Sequence, residues 1–292
     1  MKMRRIFFLL FFPLFFSSCS FYFTENCDYR GNLKVSLDWD GLWTKVQHPE
    51  CLRAIIYKEN HSVYDGKIHG DTILRDIPAG RVRALFFNPP EDKSFPYFTE
   101  SEFSLQTFFD GNVRVIEPCP MICSWQRQIE IPIHGTVSEI VSPIPLVKQI
   151  NFILNIRRND VSGTVDHIKG YLSGIPTGYS LSRNEPIRSK GTVVFAPKRD
   201  NKSSKERYIE SFYVLGTNPP HPEKEDIKKK ASFFIKLSDG EIQELEIDVS
   251  EQLNHFSANI FLCEVTIDIT TAVPSIEITS WKEGVWDEFT LS

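Results

Sequence analysis

Six cysteines, at positions 19, 27, 51, 119, 123 and 263, are the residues of this 292-residue chain best able to do covalent or metal chemistry. Their surroundings assign them different work. Cys19 follows Ser17 and Ser18 at the end of an apolar run from Ile6 to Phe16, which is interrupted by Pro13 and preceded by the cations Lys2, Arg4 and Arg5. A positive start, a short apolar stretch and small residues make a secretory leader, and a cysteine at the cleavage point is a thiol placed for acylation. Residues 1–18 are therefore expected to be a cleaved lipoprotein signal peptide, with lipid (palmitate among its acyl chains) on Cys19 and residues 19–27 as the tether. The run is too short to span a bilayer. Acyl chains contribute about 0.8 kcal/mol per buried methylene, so two or more hold a folded chain on a membrane without a spanning helix.

Lipidation of Cys19 leaves five cysteines, so at least one is unpaired. Cys119 and Cys123 flank Pro120-Met121-Ile122 and fit either a small disulfide in an exported protein or, with His134, a metal site. Structural zinc takes four ligands, and no second Cys/His pair accompanies these two. A Cys119–Cys123 disulfide or plain burial is the reading taken, and no metal or other cofactor is expected.

Further polar candidates carry less. Asp38 and Asp40 sit two apart on one strand face, a pair of carboxylates suggestive of calcium, but the remaining ligands of a calcium loop are missing. The seven histidines are scattered and none accompanies a recognisable nucleophile. Gly-x-Ser-x-Gly, His-Glu-x-x-His, Walker and Rossmann glycine patterns are absent, so the chain reads as a non-enzyme with no catalytic residues. Trp39 falls on an apolar face. Trp43, Trp281 and Trp286 lie near turns or the C-terminus, where an aromatic can stack on sugar or protein, although core packing is the commoner role.

Strands must position all of these residues. Aromatics reach 13%, with 23 phenylalanines, a bias that suits paired sheets. Leu33, Val35, Leu37 and Trp39 alternate with Lys34, Ser36, Asp38 and Asp40, as a half-buried strand requires. Further strands are predicted over residues 52–57, 72–77, 81–88, 113–116 and 127–133, with Pro78-Ala79-Gly80 as a hairpin turn and residues 101–109 as a short amphipathic helix. Pro143 and Pro145 interrupt the pattern and place a domain boundary near residue 145. Ile150, Phe152, Leu154 and Ile156 restart the alternation, and strands follow over residues 165–172, 192–196, 208–215, 232–237, 241–249, 260–269 and 275–281. Ser238-Asp239-Gly240 reads as a turn, and residues 218–230, with Pro219, Pro220, Pro222 and the run Lys228-Lys229-Lys230, read as a solvated loop. Many strands with few helical patterns indicate an all-β chain of sandwich type, divided into residues 28–145 and 146–292.

Removing Lys2, Arg4 and Arg5 from the 33 basic side chains, against 38 acidic ones, takes the net charge from −5 to near −8. That balance disfavours nucleic acid as a partner.

The leader, the segment Asn32-Leu33-Lys34-Val35-Ser36-Leu37-Asp38-Trp39 and the run from Asp76-Ile77-Pro78-Ala79-Gly80 to Phe87-Asn88 resemble the N-terminal half of Bacteroides-group surface lipoproteins. Tyr171-Leu172-Ser173-Gly174-Ile175-Pro176 and Trp281-Lys282-Glu283-Gly284 are similar to landmarks of the second half. The resemblance covers most of residues 28–286 and points to the fimbrillin-associated anchor proteins. It implies two tandem transthyretin-like β-sandwich domains and a fimbrial anchor or accessory subunit on the outer membrane, exposed at the cell surface. Its partner would be a fimbrial shaft subunit or another surface protein, met by strand addition. Val82 departs from the pattern, since relatives commonly place tyrosine there. The alternative function is a glycan-binding surface lipoprotein of a carbohydrate-uptake system.

Overall fold

A computed structural model describes residues 29–40, 48–88, 97–98, 102–159, 163–218, 223, 225–254, 256–270 and 273–284. The leader, Cys19, Cys27, Trp43 and Trp286 lie outside the described residues. Strands before residue 146 are β1 (Arg30–Leu37), β2 (Leu52–Lys58), β3 (His61–Ile68), β4 (Thr72–Pro78), β5 (Gly80–Phe87), β6 (Tyr97–Phe98), β7 (Glu102–Ser104), β8 (Thr107–Asp110), β9 (Val113–Ile116), β10 (Cys123–Ile131), β11 (Thr136–Val141) and β12 (Ile144–Pro145). After it come β13 (Lys148–Arg158), β14 (Val165–Ile175), β15 (Gly178–Ser180), β16 (Glu185–Ile187), β17 (Gly191–Phe195), β18 (Lys198–Arg199), β19 (Arg207–Val214), β20 (Lys230–Leu237), β21 (Ile242–Asp248), one short helix α1 (Ser250–Asn254), β22 (Ile260–Ile269) and β23 (Ser275–Gly284). The all-β expectation is met.

The predicted alternation of β1 buries Leu33 and Val35 completely, and β1 is the middle strand of a three-stranded sheet, β11-β1-β4, parallel to β11 and antiparallel to β4. This sheet packs on a five-stranded one, β12-β10-β5-β2-β3, enclosing a core that includes Leu33, Val35, Ile56, Leu74, Phe86 and Ile129. The runs Ala54–Tyr57 and Ala84–Phe87 are apolar at every position, as strands covered on both faces must be. Ile56 and Phe86 point into that core, whereas Ile55, Tyr57, Leu85 and Phe87 join a second and larger core built mainly from the C-terminal half. One sheet therefore serves two cores.

The larger core lies between β18-β19-β13-β22-β23 and β21-β20-β14-β17-β9-β8. Aromatic rings fill its centre. Phe152 stacks on Phe195 at 5.3 Å, Phe195 on Phe212 at 4.8 Å, and Phe233 meets Phe152 edge-on at 5.7 Å. Gly170 leaves room for this stack, because a Cβ there would stand 2.3 Å from the Phe195 ring. Ser238-Asp239-Gly240 makes the predicted turn between β20 and β21, with Gly240 at φ 91°, where a side chain would be strained.

Three expectations are corrected. Within the predicted 101–109 helix, the described residues 102–109 are not helical: they hold β7 and the start of β8, whose backbones pair with β15 and β9, and that pairing overrides the local helical spacing. Pro78-Ala79-Gly80 is not a hairpin turn, since β4 pairs with β1 while β5 pairs with β2 and β10; it is a corner carrying the chain from one sheet to the other. Residues 218–230 are not solvated throughout, because Asn218, Ile227 and Lys229 are buried. Strand pairing also crosses residue 145: β7 pairs with β15 and β9 runs parallel to β17, so the 102–116 segment is sheet-bonded to strands of the C-terminal half.

Candidate functional site

The cysteines are the natural starting point, and the four described ones are all free and buried. The Cys119–Cys123 disulfide allowed by the spacing is not formed, for a physical reason. Cys119 faces the larger core and Cys123 the smaller one, so their side chains diverge. The Cys119 backbone N–H donates to the Tyr213 carbonyl at 2.9 Å, and the Cys123 N–H donates to Asn88 Oδ1 at 2.7 Å. Burial pushes the Cys119 thiol well above its usual range and raises Cys123 and Cys263 to about 12. Thiols held neutral in this way are poor nucleophiles and poor ligands. His134 is exposed just beyond the far end of β10, roughly 30 Å of strand away from Cys123, so the three do not converge.

Asp38 is occupied: its Oδ1 accepts from the Asp40 backbone N–H at 3.0 Å and its Oδ2 from the Ser142 hydroxyl at 2.9 Å. Among the described residues no group of three His, Cys, Asp or Glu side chains could hold a metal ion. Trp39 packs on the smaller core and stacks on His48 at 5.0 Å, and Trp125 meets Phe86 at 5.5 Å. Trp281 differs, being 47% exposed on β23.

Sheet edges are what remains. Residues 260–269 form β22, which is interior, bonded to β13 on one side and β23 on the other, so it offers no edge. β23 is the edge. It is ten residues long and, among the described residues, pairs only with β22. Ile276 and Ile278 pack against the larger core while Glu277 and Thr279 face away, and the register slips at Glu264/Val265, so that Thr279 bulges. A bulge and charges at Glu277, Lys282 and Glu283 are features that blunt an edge against indiscriminate pairing. The far end of β23 is fixed by two residues. Lys148 Nζ donates to the carbonyls of Ser257 at 2.9 Å and Ala258 at 2.6 Å, while the Glu283 carboxylate accepts their N–H groups at 3.2 and 3.3 Å.

Lys229 is the residue that sequence reasoning misplaced. It is fully buried, its Nζ donating to the Asn218 carbonyl at 2.7 Å and to Asn254 Oδ1, and its backbone N–H donating to Ser250 Oγ at 2.8 Å. Desolvation lowers its pKa from 10.5 to about 8, opposed by Asp226 and Asp248 and assisted by Arg188. A period-two signal was present, because positions 227, 229, 231, 233, 235 and 237 are all buried in alternation. Nearby, a cleft of about 310 Å³ is lined by Ser173, Lys190, Thr192, Glu225, Asp226 and Lys228 among others, with no aromatic face on which a sugar could stack.

The sequence matches no protein-family model and no curated protein. Solved structures do match. A candidate adhesin from Bacteroides ovatus superposes with a TM-score of 0.58 at 15% identity, over 83% of this chain and 90% of that one. The fimbrial anchor protein Mfa2 from Porphyromonas gingivalis gives 0.56 at 9% identity, over 88% of this chain and 100% of that one. A candidate polysaccharide-binding protein from Bacteroides thetaiotaomicron gives 0.53 at 9% identity, over 87% and 98%. At these identities the likeness is one of fold, and it extends along nearly the whole of each chain.

Proposed function

We propose that the chain is a lipid-anchored lipoprotein of the outer membrane, exposed at the cell surface, that serves as a fimbrial anchor or accessory assembly subunit without catalytic activity. The observation that carries the proposal is the long edge strand β23, set in a fold shared over 88% of this chain with a fimbrial anchor protein. Its open side offers backbone donors and acceptors to an incoming strand, and alternate side chains select the partner. The buried thiols and the lack of a metal-binding cluster among the described residues are compatible with binding work. Among the described residues no helix is long and apolar enough to cross a membrane, and the anchor in this reading is lipid on Cys19.

Two measurements test it. Metabolic labelling with a fatty acid should mark the wild type and not Cys19→Ala; equal labelling of both overturns the anchor. Capture from native outer membranes should recover a fimbrial shaft subunit or another surface protein; recovery of neither overturns the proposed role. A glycan-binding role is the second reading, favoured by the exposed ring of Trp281 and by the fold shared with a candidate polysaccharide-binding protein. Recovery of carbohydrate-uptake components in the same capture, lost in Trp281→Ala, would select it.

A further inference from the structure

We infer that the pole of the N-terminal half formed by Tyr29 and the Pro132–Gly135 turn rests on the lipid headgroup layer, with Tyr29 and Ile133 entering the interface. The inference builds on the lipid-anchor reading of Cys19 and adds the orientation and the contact residues. Tyr29 is 45% exposed and Ile133 57% exposed, and the Tyr29 ring meets the His134 ring edge-on at 6.3 Å. Hydrogen bonds hold this pole together. The Ala79 N–H donates to the Tyr29 carbonyl at 2.6 Å, the His134 N–H to the Arg30 carbonyl at 2.8 Å, and Lys58 Nζ to the Ala79 carbonyl at 2.8 Å.

Position argues for a membrane as the occupant. Tyr29 stands ten positions after Cys19, a length that reaches at most about 35 Å, so a lipid on Cys19 keeps this end near the bilayer. The other end of β1, roughly 26 Å along the strand, is where Asp38 meets Ser142 and the chain passes into the C-terminal half. Chemistry agrees with position. Tyrosine has an apolar ring with a polar tip, the form enriched at membrane interfaces, and isoleucine beside it supplies purely apolar surface. Three cations near this pole, Arg30, Lys58 and Arg81, are equalled in number by the anions Glu59, Asp76 and Glu130, so the contact is carried by apolar burial and should change little with salt.

The test uses the mature chain from Cys19 with Cys27→Ser, Cys19 held as a thiazolidine while a probe is attached to the engineered cysteine and then freed and ligated to a phospholipid thioester, and vesicles of phosphatidylethanolamine and phosphatidylglycerol. Synthetic ligation makes the result independent of cellular acylation, so failure of the anchor reading in metabolic labelling and failure of this orientation are separate outcomes. A fluorescent probe on Ile133→Cys should shift to the blue on vesicle binding and be quenched by headgroup nitroxide lipids, while the same probe on Phe109→Cys, at a 75% exposed site, should do neither. With a single-chain lysophospholipid ligated instead, so that binding stays reversible, Ile133→Ser should weaken vesicle partitioning by about fivefold to tenfold, the scale of withholding on the order of 50 Å² of apolar surface from the interface. Its exposed position keeps that variant folded. Equal quenching at both probe sites, or none at residue 133, overturns the inference.

Discussion

Lys229 permits a pH experiment whose sign can be worked out beforehand. Its amine is fully buried, and desolvation holds its pKa at about 8 in the folded chain against 10.5 for the ordinary side chain. In the window between about pH 8 and 10.5 the unfolded chain binds more protons at this position than the folded one, so stability rises with pH there. Below about pH 8 the lysine is charged in both states and the folded chain carries the whole desolvation cost. At roughly 1.4 kcal/mol per pH unit, the full difference is about 3 kcal/mol. Lys229→Met keeps the stem and removes the charge, leaving Asn218 and Asn254 without that donor. Urea unfolding of both proteins, measured at about pH 7.5 and pH 11, isolates the effect, because tyrosines and thiols that titrate in the same range are common to both. The stability difference should move by about 2–3 kcal/mol in favour of the wild type as pH rises. A difference that stays flat, or moves the other way, would refute a protonated buried amine.

Other consequences are as direct. Gly170→Ala forces a methyl against the Phe195 ring and should destabilise by about 1–3 kcal/mol, read from the urea midpoint. Proline at Glu277 and at Ile278 in turn should separate the two sides of β23: one substitution removes an outward donor and abolishes partner capture in a folded protein, and the neighbouring one breaks pairing with β22 and costs stability. Protease nicking within residues 140–147 should leave both fragments together on native gel filtration, since Ile55, Tyr57, Leu85 and Phe87 belong to the larger core and the 102–116 strands pair across the cut. Fragments that separate without denaturant would contradict that shared core. Maleimide should leave Cys51, Cys119, Cys123 and Cys263 unmodified in the native state, as their burial dictates, and rapid labelling would show the thiols to be accessible.

Most strands were legible because apolar alternation was strong: β1, β13, β20 and β22 lie within a few residues of their predicted bounds. β3 and β11 escaped notice because they are sheet edges with few buried side chains, so their sequences, rich in Ser, Tyr, Asp and Glu, carry no core signal. Residues 101–109 misled because helical spacing is local while the pairing of β7 with β15, far along the chain, is not. Cys119 and Cys123 illustrate a further limit, for sequence gives a spacing of four but not the fact that the chain passes between two cores there. Lys229 was hidden by composition. Three consecutive lysines suggest solvent, yet the parity of Ala231, Phe233, Ile235 and Leu237 already assigned the middle one to the interior. The edge character of β23 was the hardest to foresee, since an edge is defined by which strand is absent beside it.

The placement of β1 also bears on how the molecule would carry tension. A load entering through the N-terminal tether pulls on Tyr29 along the axis of β1, which is bonded on both sides, to β11 and to β4. Hydrogen bonds lie across strands, so a pull along the strand shears both ladders at once instead of opening them one rung at a time. Gly31 sits tightly against the Pro132 and Gly135 carbonyls, and the Arg30 guanidinium donates to the Asp76 carbonyl at 3.0 Å, so the first residues to feel the load are clamped where it enters. Beneath them, the sheet containing β2 and β5 is wedged between two cores and hands the force to the C-terminal half through packed side chains as well as through the chain at Leu146. In the proposed anchor reading, such a body would yield late and abruptly under traction, more as a mooring than as a spring.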